Sequence, residues 1–150
     1  MEWQRGAFTI STEIQKLDIP FIHSFLSKSY WAANIPVATI QRSIENSLSF
    51  GIYNQQQQVG FARVITDKAT FAYLADVFVD DSVRGQGLSK WLMEVILTHP
   101  ELQGLRRFML ATRDAHGLYR QFGFMPVTSP ENLMSIHQPD IYKTNSSNGE

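Results

Sequence analysis

The sequence predicts an α/β domain: a mixed sheet with helices packed against its faces. Three observations point there. Strand-like alternation and helix-like spacing succeed one another along the 150 residues. A glycine-rich turn, Val83-Arg84-Gly85-Gln86-Gly87-Leu88-Ser89, joins the longest strand candidate to the cleanest helix candidate. Hydrophobic residues make up 43% of the chain and charged residues 18%, the balance of a single domain with one buried core.

Residues 8–12 alternate like a half-buried strand. Asp18 is placed to cap a helix with Pro20 in its first turn, and Ile22, Phe25 and Leu26 fall on its inner face. Pro36 opens a second helix striped by Val37, Ile40 and Ile44. Strands over 49–53 and 59–65 follow, with the glutamines at 55–58 in a polar hairpin loop between them. Asp67-Lys68 makes the next turn, and 70–79 is the longest strand. Leu88, Trp91, Leu92, Val95 and Ile96 recur at the helical interval, and His99-Pro100 ends that helix. Residues 107–112 read as a strand. Asp114 is placed to cap a short helix holding Leu118, Tyr119 and Phe122, which Gly123 stops. Strands over 124–127 and 133–136 complete the sheet. Residues 1–143 form one domain, and 144–150 read as a polar, disordered tail.

Composition narrows the function. A formal net charge of −1 recruits neither nucleic acid nor anionic membrane, so any anion site must be local. The chain has no cysteine, which excludes disulfides, thiolate metal sites and a cysteinyl-acyl intermediate, and fits a reducing compartment. The opening residues lack the apolar core of a signal peptide, and no run approaches the ~20 apolar residues of a membrane helix. The expected location is the cytoplasm. The four histidines show no metal-ligand spacing, so no metal is expected.

The glycine turn carries the clearest chemistry. A strand, a flexible turn with an arginine, and a helix start in succession can hold a phosphate. Glycine lets the backbone approach closely, and the first amides of a helix have no partner of their own. A dinucleotide fingerprint would want a third glycine where Lys90 stands, and the lysine-serine/threonine end of a Walker loop is absent.

Two segments in order extend this reading. Val77-Phe78-Val79 precedes Arg84-Gly85-Gln86-Gly87-Leu88-Ser89, and a tyrosine precedes a glycine-phenylalanine pair in Leu118-Tyr119-Arg120-Gln121-Phe122-Gly123-Phe124. Here the chain resembles the GNAT superfamily of acyl-CoA N-acyltransferases, well from Ala72 to about Val127 and by element order before that. It departs at Ser89, where the family has glycine or alanine, and at Asp114, where asparagine is frequent. The resemblance implies a mostly antiparallel, twisted sheet of about six to seven strands. Four helices would lie on its faces, and the sheet would splay between two central parallel strands.

The resemblance also implies roles. Acetyl-CoA is the co-substrate, and a small-molecule amine is the first choice of acceptor. A protein lysine or N-terminal amine is the second. A non-catalytic acyl-CoA sensor is the rival from another class. Amides of Gly85, Gln86, Gly87, Leu88 and Ser89, with Arg84, would take the diphosphate. Backbone groups of Val77 and Val79 would take the pantetheine arm, and an amide near Phe78 would polarise the thioester carbonyl. Asp114 falls among the cofactor contacts. Tyr119 matches the general-acid position. Asp76, inside an apolar strand, is open to three readings: it accepts the ammonium proton, holds the substrate's charge, or pairs structurally with Arg63 or Tyr73. Tyr30 and Trp31 lie where the family builds its acceptor pocket. A monomer or a homodimer is compatible with the chain.

Overall fold

Six strands lie side by side in the order in which the chain makes them. The computed structural model describes residues 1–143; the expected disordered tail at 144–150 lies outside the described residues. The elements are β1 (Glu2–Arg5), β2 (Phe8–Ser11), α1 (Ile19–Leu26), α2 (Val37–Glu45), β3 (Leu48–Asn54), β4 (Gln57–Thr66), β5 (Phe71–Val79), α3 (Leu88–Thr98), β6 (Arg107–Leu110) and α4 (His116–Arg120). Neighbours from β1 to β5 are antiparallel. β6 joins β5 in parallel, which requires the crossover that α3 supplies. The mixed sheet with four α-helices is the architecture the sequence predicts.

Each face of the sheet buries its own core. On one, Ile10, Phe50, Ile52, Val64 and Leu74 pack against Leu88, Leu92, Val95 and Ile96 of α3. On the other, Phe61 and Phe78 pack against Ile22 and Leu26 of α1 and Ile40 and Ile44 of α2. The predicted stripes therefore hold, except that Val37 is 41% exposed at the first turn of α2. Asp18 caps α1 as its sequence position predicts, its Oδ1 accepting from the Phe21 amide at 3.1 Å.

The glutamine run is more structured than a polar loop. Only Gln55 and Gln56 form the turn; Gln57 and Gln58 belong to β4. Gln58 is 3% exposed. Its side chain accepts from the Asp18 amide at 2.7 Å and donates to the Gly60 carbonyl at 3.0 Å, so it ties the start of α1 to the sheet. β1 is a strand that the sequence reading does not contain; it pairs with β2 from Glu2 opposite Ser11 to Arg5 opposite Phe8.

The C-terminal region departs most from expectation. Residues 124–127 and 133–136 form no strand. The parallel pair β5–β6 consequently lies at one edge of the sheet rather than at its centre. α4 ends earlier than predicted, at Arg120, so Phe122 lies in the turn beyond it, where Gly123 at φ 93° lets the Phe124 amide reach the Tyr119 carbonyl. The start differs as well. The N-cap is Ala115, not Asp114, and the Ala115 amide is held by the Thr112 hydroxyl oxygen at 3.0 Å.

Two irregularities shape β5. It pairs with β6 over only four residues, Phe71–Arg107 to Leu74–Leu110, so the strands part beyond Leu74. Against β4 the register shifts between Phe61 and Arg63: Phe61 faces Phe78, while Arg63 faces Ala75. One residue of β4 thus opposes two of β5, a β-bulge. Asp76 sits in it with φ 58°, a left-handed conformation that a non-glycine residue adopts only where its surroundings hold it.

The turn before β5 is closed by Asp67, whose carboxylate accepts from the amides of Ala69, Thr70 and Phe71 and from the Thr70 hydroxyl. These hydrogen bonds, the Thr70 hydroxyl first, hold its carboxyl well below the usual carboxylate range. A depressed folded-state value stabilises the fold above the ordinary range and is lost as pH falls through it. We expect Asp67→Ala to lower the melting temperature at pH 7. The gap to the parent should narrow below about pH 4, as thermal melts at pH 7 and pH 3 would show.

Candidate active site

The glycine turn is built as a cradle. Gly85 and Gly87 have φ of 81° and 74°, a region that strains any L side chain. Gly87 is the N-cap of α3, and no side chain caps the helix. The first helical bond runs from the Trp91 amide to the Gly87 carbonyl at 3.1 Å, which leaves the amides of Leu88, Ser89 and Lys90 without an intrahelical acceptor. Leu88 is buried in the core and fixes the helix start, while Gln86 is exposed. Asp80 shapes the approach: its amide donates to the Val59 carbonyl at 2.7 Å and its carboxylate accepts from the Ser82 amide and hydroxyl. Arg84 lies at the surface, its Nε 2.8 Å from Asp81 Oδ1.

The strand leading into this cradle has a free edge. Beyond Leu74, among the described residues, β5 has β4 on one side and no strand on the other. Along residues 77–79 the side chains alternate. Phe78 goes into the α1 core, stacked on Phe25 with ring centroids 3.9 Å apart and planes at 9°, whereas Val77 and Val79 pack toward α3. This leaves an open main-chain edge that runs toward the unpartnered amides of the turn.

Tyr119 lies on α4 with Tyr30 and Asp114 nearby. It is 8% exposed on α4, with Phe124 edge-on at 5.9 Å. Burial pushes its phenol above the ordinary tyrosine value, with nearby Tyr30 and Asp114 adding to the rise, so it stays protonated. Asp114 itself is exposed in the loop between β6 and α4.

The predicted acceptor-side residues converge around the bulge. The left-handed turn at Asp76 carries a carboxylate with both oxygens engaged. Trp31 Nε1 donates to Oδ1 at 2.9 Å and Arg63 Nε donates to Oδ2 at 3.0 Å. Arg63 also donates to the Ser47 hydroxyl at 3.1 Å. Of the partners weighed for Asp76, the structure supplies Arg63. Tyr30 meets Trp31 edge-on at 5.0 Å, and the Arg113 guanidinium lies 3.8 Å from the Tyr30 ring centroid. The Tyr30-Trp31 pair thus spans the gap between β5 and the chain leaving β6. Both rings stay partly in solvent, at 52% and 43% exposure.

Sequence reasoning missed Arg113 and the Phe25–Phe78 stack. Arg113 adjoins Asp114, but its partner Tyr30 is remote in the chain, and no local pattern announces such a contact. Among the described residues, no three histidine, aspartate or glutamate side chains gather as a metal site. No helix among them is long and apolar enough to cross a membrane.

Known proteins share this fold. A family model described as an acetyltransferase (GNAT) domain matches residues 45–126, which include the bulge, the glycine turn and Tyr119. A Xanthomonas campestris pv. campestris crystal structure, provisionally assigned as a GNAT-family acetyltransferase, is 53% identical. It covers 90% of this chain and 96% of its own, at a TM-score of 0.88. A provisionally named acetyltransferase of Gibberella zeae is 31% identical over 78% of each chain. A Clostridium acetobutylicum acetyltransferase structure with acetyl-CoA has 11% identity and a TM-score of 0.64, covering 87% of this chain and 96% of its own, which shows a common fold. With its glycine turn, parted strands and motif tyrosine inside the matched region, this chain belongs to the GNAT acetyltransferase family.

Proposed function

We propose that the chain transfers the acetyl group of acetyl-CoA to a primary amine of a small molecule, by direct attack in a ternary complex. The observation that carries this reading is the continuous donor track from the free edge of β5 to the uncapped start of α3. Its chemistry fits coenzyme A: amides at a helix N-terminus for a diphosphate, and an open strand edge for an extended arm bearing amides. The Clostridium acetobutylicum neighbour with acetyl-CoA supports the choice of co-substrate.

Acetyl-CoA supplies an activated thioester. In this reading the amides of residues 85–89 hold the diphosphate and Arg84 adds a charge-assisted donor. The backbone of Val77 and Val79 orients the arm, and an amide near Phe78 faces the thioester carbonyl. Tyr119 holds a proton at its phenolic oxygen and gives it to the departing thiolate. Tyr30 and Trp31 wall the acceptor side, where their exposed faces suit an ammonium group before it loses its proton to the solvent that reaches them. Asp76 has both oxygens occupied and its charge matched by Arg63. That supports a positioning part, holding Trp31 against β5, over direct acceptance of the amine's proton. A small acceptor is favoured over a protein amine because the sequence carries no long run of acidic residues that would hold a basic peptide.

Tyr119→Phe should lower kcat by ~100-fold or more while leaving coenzyme A affinity unchanged. Unchanged turnover removes Tyr119 from the mechanism, and absence of turnover in the parent with every amine tried favours a sensor. The raised phenol value carries a sign. The acid stays protonated past the ordinary tyrosine range, so the alkaline limb of kcat in the parent should lie above about pH 10. Arg84→Ala should weaken coenzyme A binding about tenfold, the loss of one charge-assisted contact of ~1.5 kcal/mol. Calorimetry checks this, and equal affinities refute the phosphate assignment.

A further inference from the structure

The charges around the gap do not all cancel. Asp76 and Arg63 form a matched pair, 3.0 Å apart, with no net charge left for a ligand. Arg113 differs. It stands where the chain leaves β6, and among the described residues its side chain makes no ion pair and donates no hydrogen bond. Its guanidinium lies over the Tyr30 ring, 3.8 Å from the centroid. A guanidinium that close to a ring spends its flat face there and keeps the N–H donors at its rim.

Tyr30 is itself fixed. It meets Trp31 edge-on at 5.0 Å, and Trp31 is bound to Asp76. Arg113 is thus tethered through two aromatic rings to the bulge in β5, where a lone surface arginine would sweep through solvent. A charged fork held in place in advance loses less freedom when it takes an oxyanion. The same contact limits Tyr30. One face of the ring already carries a cation, so an incoming ammonium is left with Trp31 and the outer face of Tyr30. Next in the chain, Asp114 is exposed and likewise makes no ion pair among the described residues. Its charge reaches the Tyr119 phenol and helps to hold the proton there. The site therefore favours an anion beside Tyr30 and a cation beside Tyr119.

We propose, given the acetyl transfer inferred above, that the acceptor amine also carries an oxyanion, a carboxylate or a phosphate, and that Arg113 binds it. The acceptor is then a small zwitterion, with its ammonium near Trp31 and Tyr119 and its anionic end at Arg113. A planar guanidinium engages two oxygens of such a group at once. The oxyanion neutralises a cation that no described residue matches, whereas a plain amine brings a second positive charge beside it. Arg113 thereby sets which amines the site selects.

Thiol release from acetyl-CoA, followed at one pH with matched amines, tests this. Amino acids are compared with their amides, and aminoalkyl phosphates with the corresponding aminoalcohols. In at least one series the anionic member should show a kcat/KM about tenfold higher or more, the effect of a hydrogen-bonded charge pair. The series that shows it distinguishes carboxylate from phosphate. Arg113→Met keeps an unbranched chain against Tyr30 and removes the fork. It should abolish that preference through the KM of the anionic member, and Arg113→Lys should restore part of it. Anions without the amine, propionate and ethyl phosphate, should inhibit the parent in competition with the amine, and Arg113→Met should remove this inhibition. Equal kcat/KM within every pair overturns the inference and leaves acetyl transfer standing, whereas no turnover with any amine overturns both. A loss in Arg113→Met shared equally by both members of a pair makes Arg113 a prop for Tyr30 and also overturns it.

Discussion

The parting of β5 from β6 after four residue pairs is the constraint on which the site depends. A fully paired strand would have its main-chain donors and acceptors committed to its neighbours. By separating, the two strands leave one side of β5 uncommitted, and they do so at the end nearest the glycine turn. The bulge at Asp76 sits at the same place and turns the strand where it leaves its neighbour. Aromatic packing then keeps the separated part of β5 from sagging. Phe78 is stacked on Phe25 and flanked by Phe21 and Phe61, so the free edge is backed by a solid core.

Under the proposed function, the charge distribution suits an anionic carrier and a basic acceptor on opposite sides of this gap. The carrier side uses backbone amides and needs no net positive charge, consistent with a chain whose formal charge is −1. On the proposed acceptor side the partly buried Asp76 carboxylate is balanced by one arginine and held by one indole. An unpaired carboxylate there would carry a heavy desolvation penalty, whereas a matched pair with a third donor is tolerated and fixes geometry. Arg113 against Tyr30 provides a second fastening across the same opening.

How much of this was legible in the sequence follows from the range of each interaction. α3 was readable to the residue because its stripe, its preceding glycines and its terminating His99-Pro100 are all local. The cap at Asp18 was readable for the same reason. The buried role of Gln58 was not, because its partner at Asp18 lies 40 positions away and a run of four glutamines looks uniformly polar. Asp76 was recognisable as an oddity, a carboxylate in an apolar strand. Its left-handed backbone depends on register with β4 and its bond to Trp31 on the loop after α1. The strands expected at 124–127 and 133–136 had the right residues; what they lack, among the described residues, is a strand to pair with, which no periodicity reveals.

The order of the sheet has a consequence for synthesis. Each strand from β2 to β5 docks on one already made, so an emerging chain can assemble the antiparallel part of the sheet and its α1–α2 core without waiting for later residues. The crossover through α3 and the docking of β6 come last, and with them the carrier cradle and the motif tyrosine. A nascent chain halted near the end of β5 would hold five strands and the α1–α2 core, with the opposite face still waiting for α3, and catalytic competence would arrive only once α4 has been made.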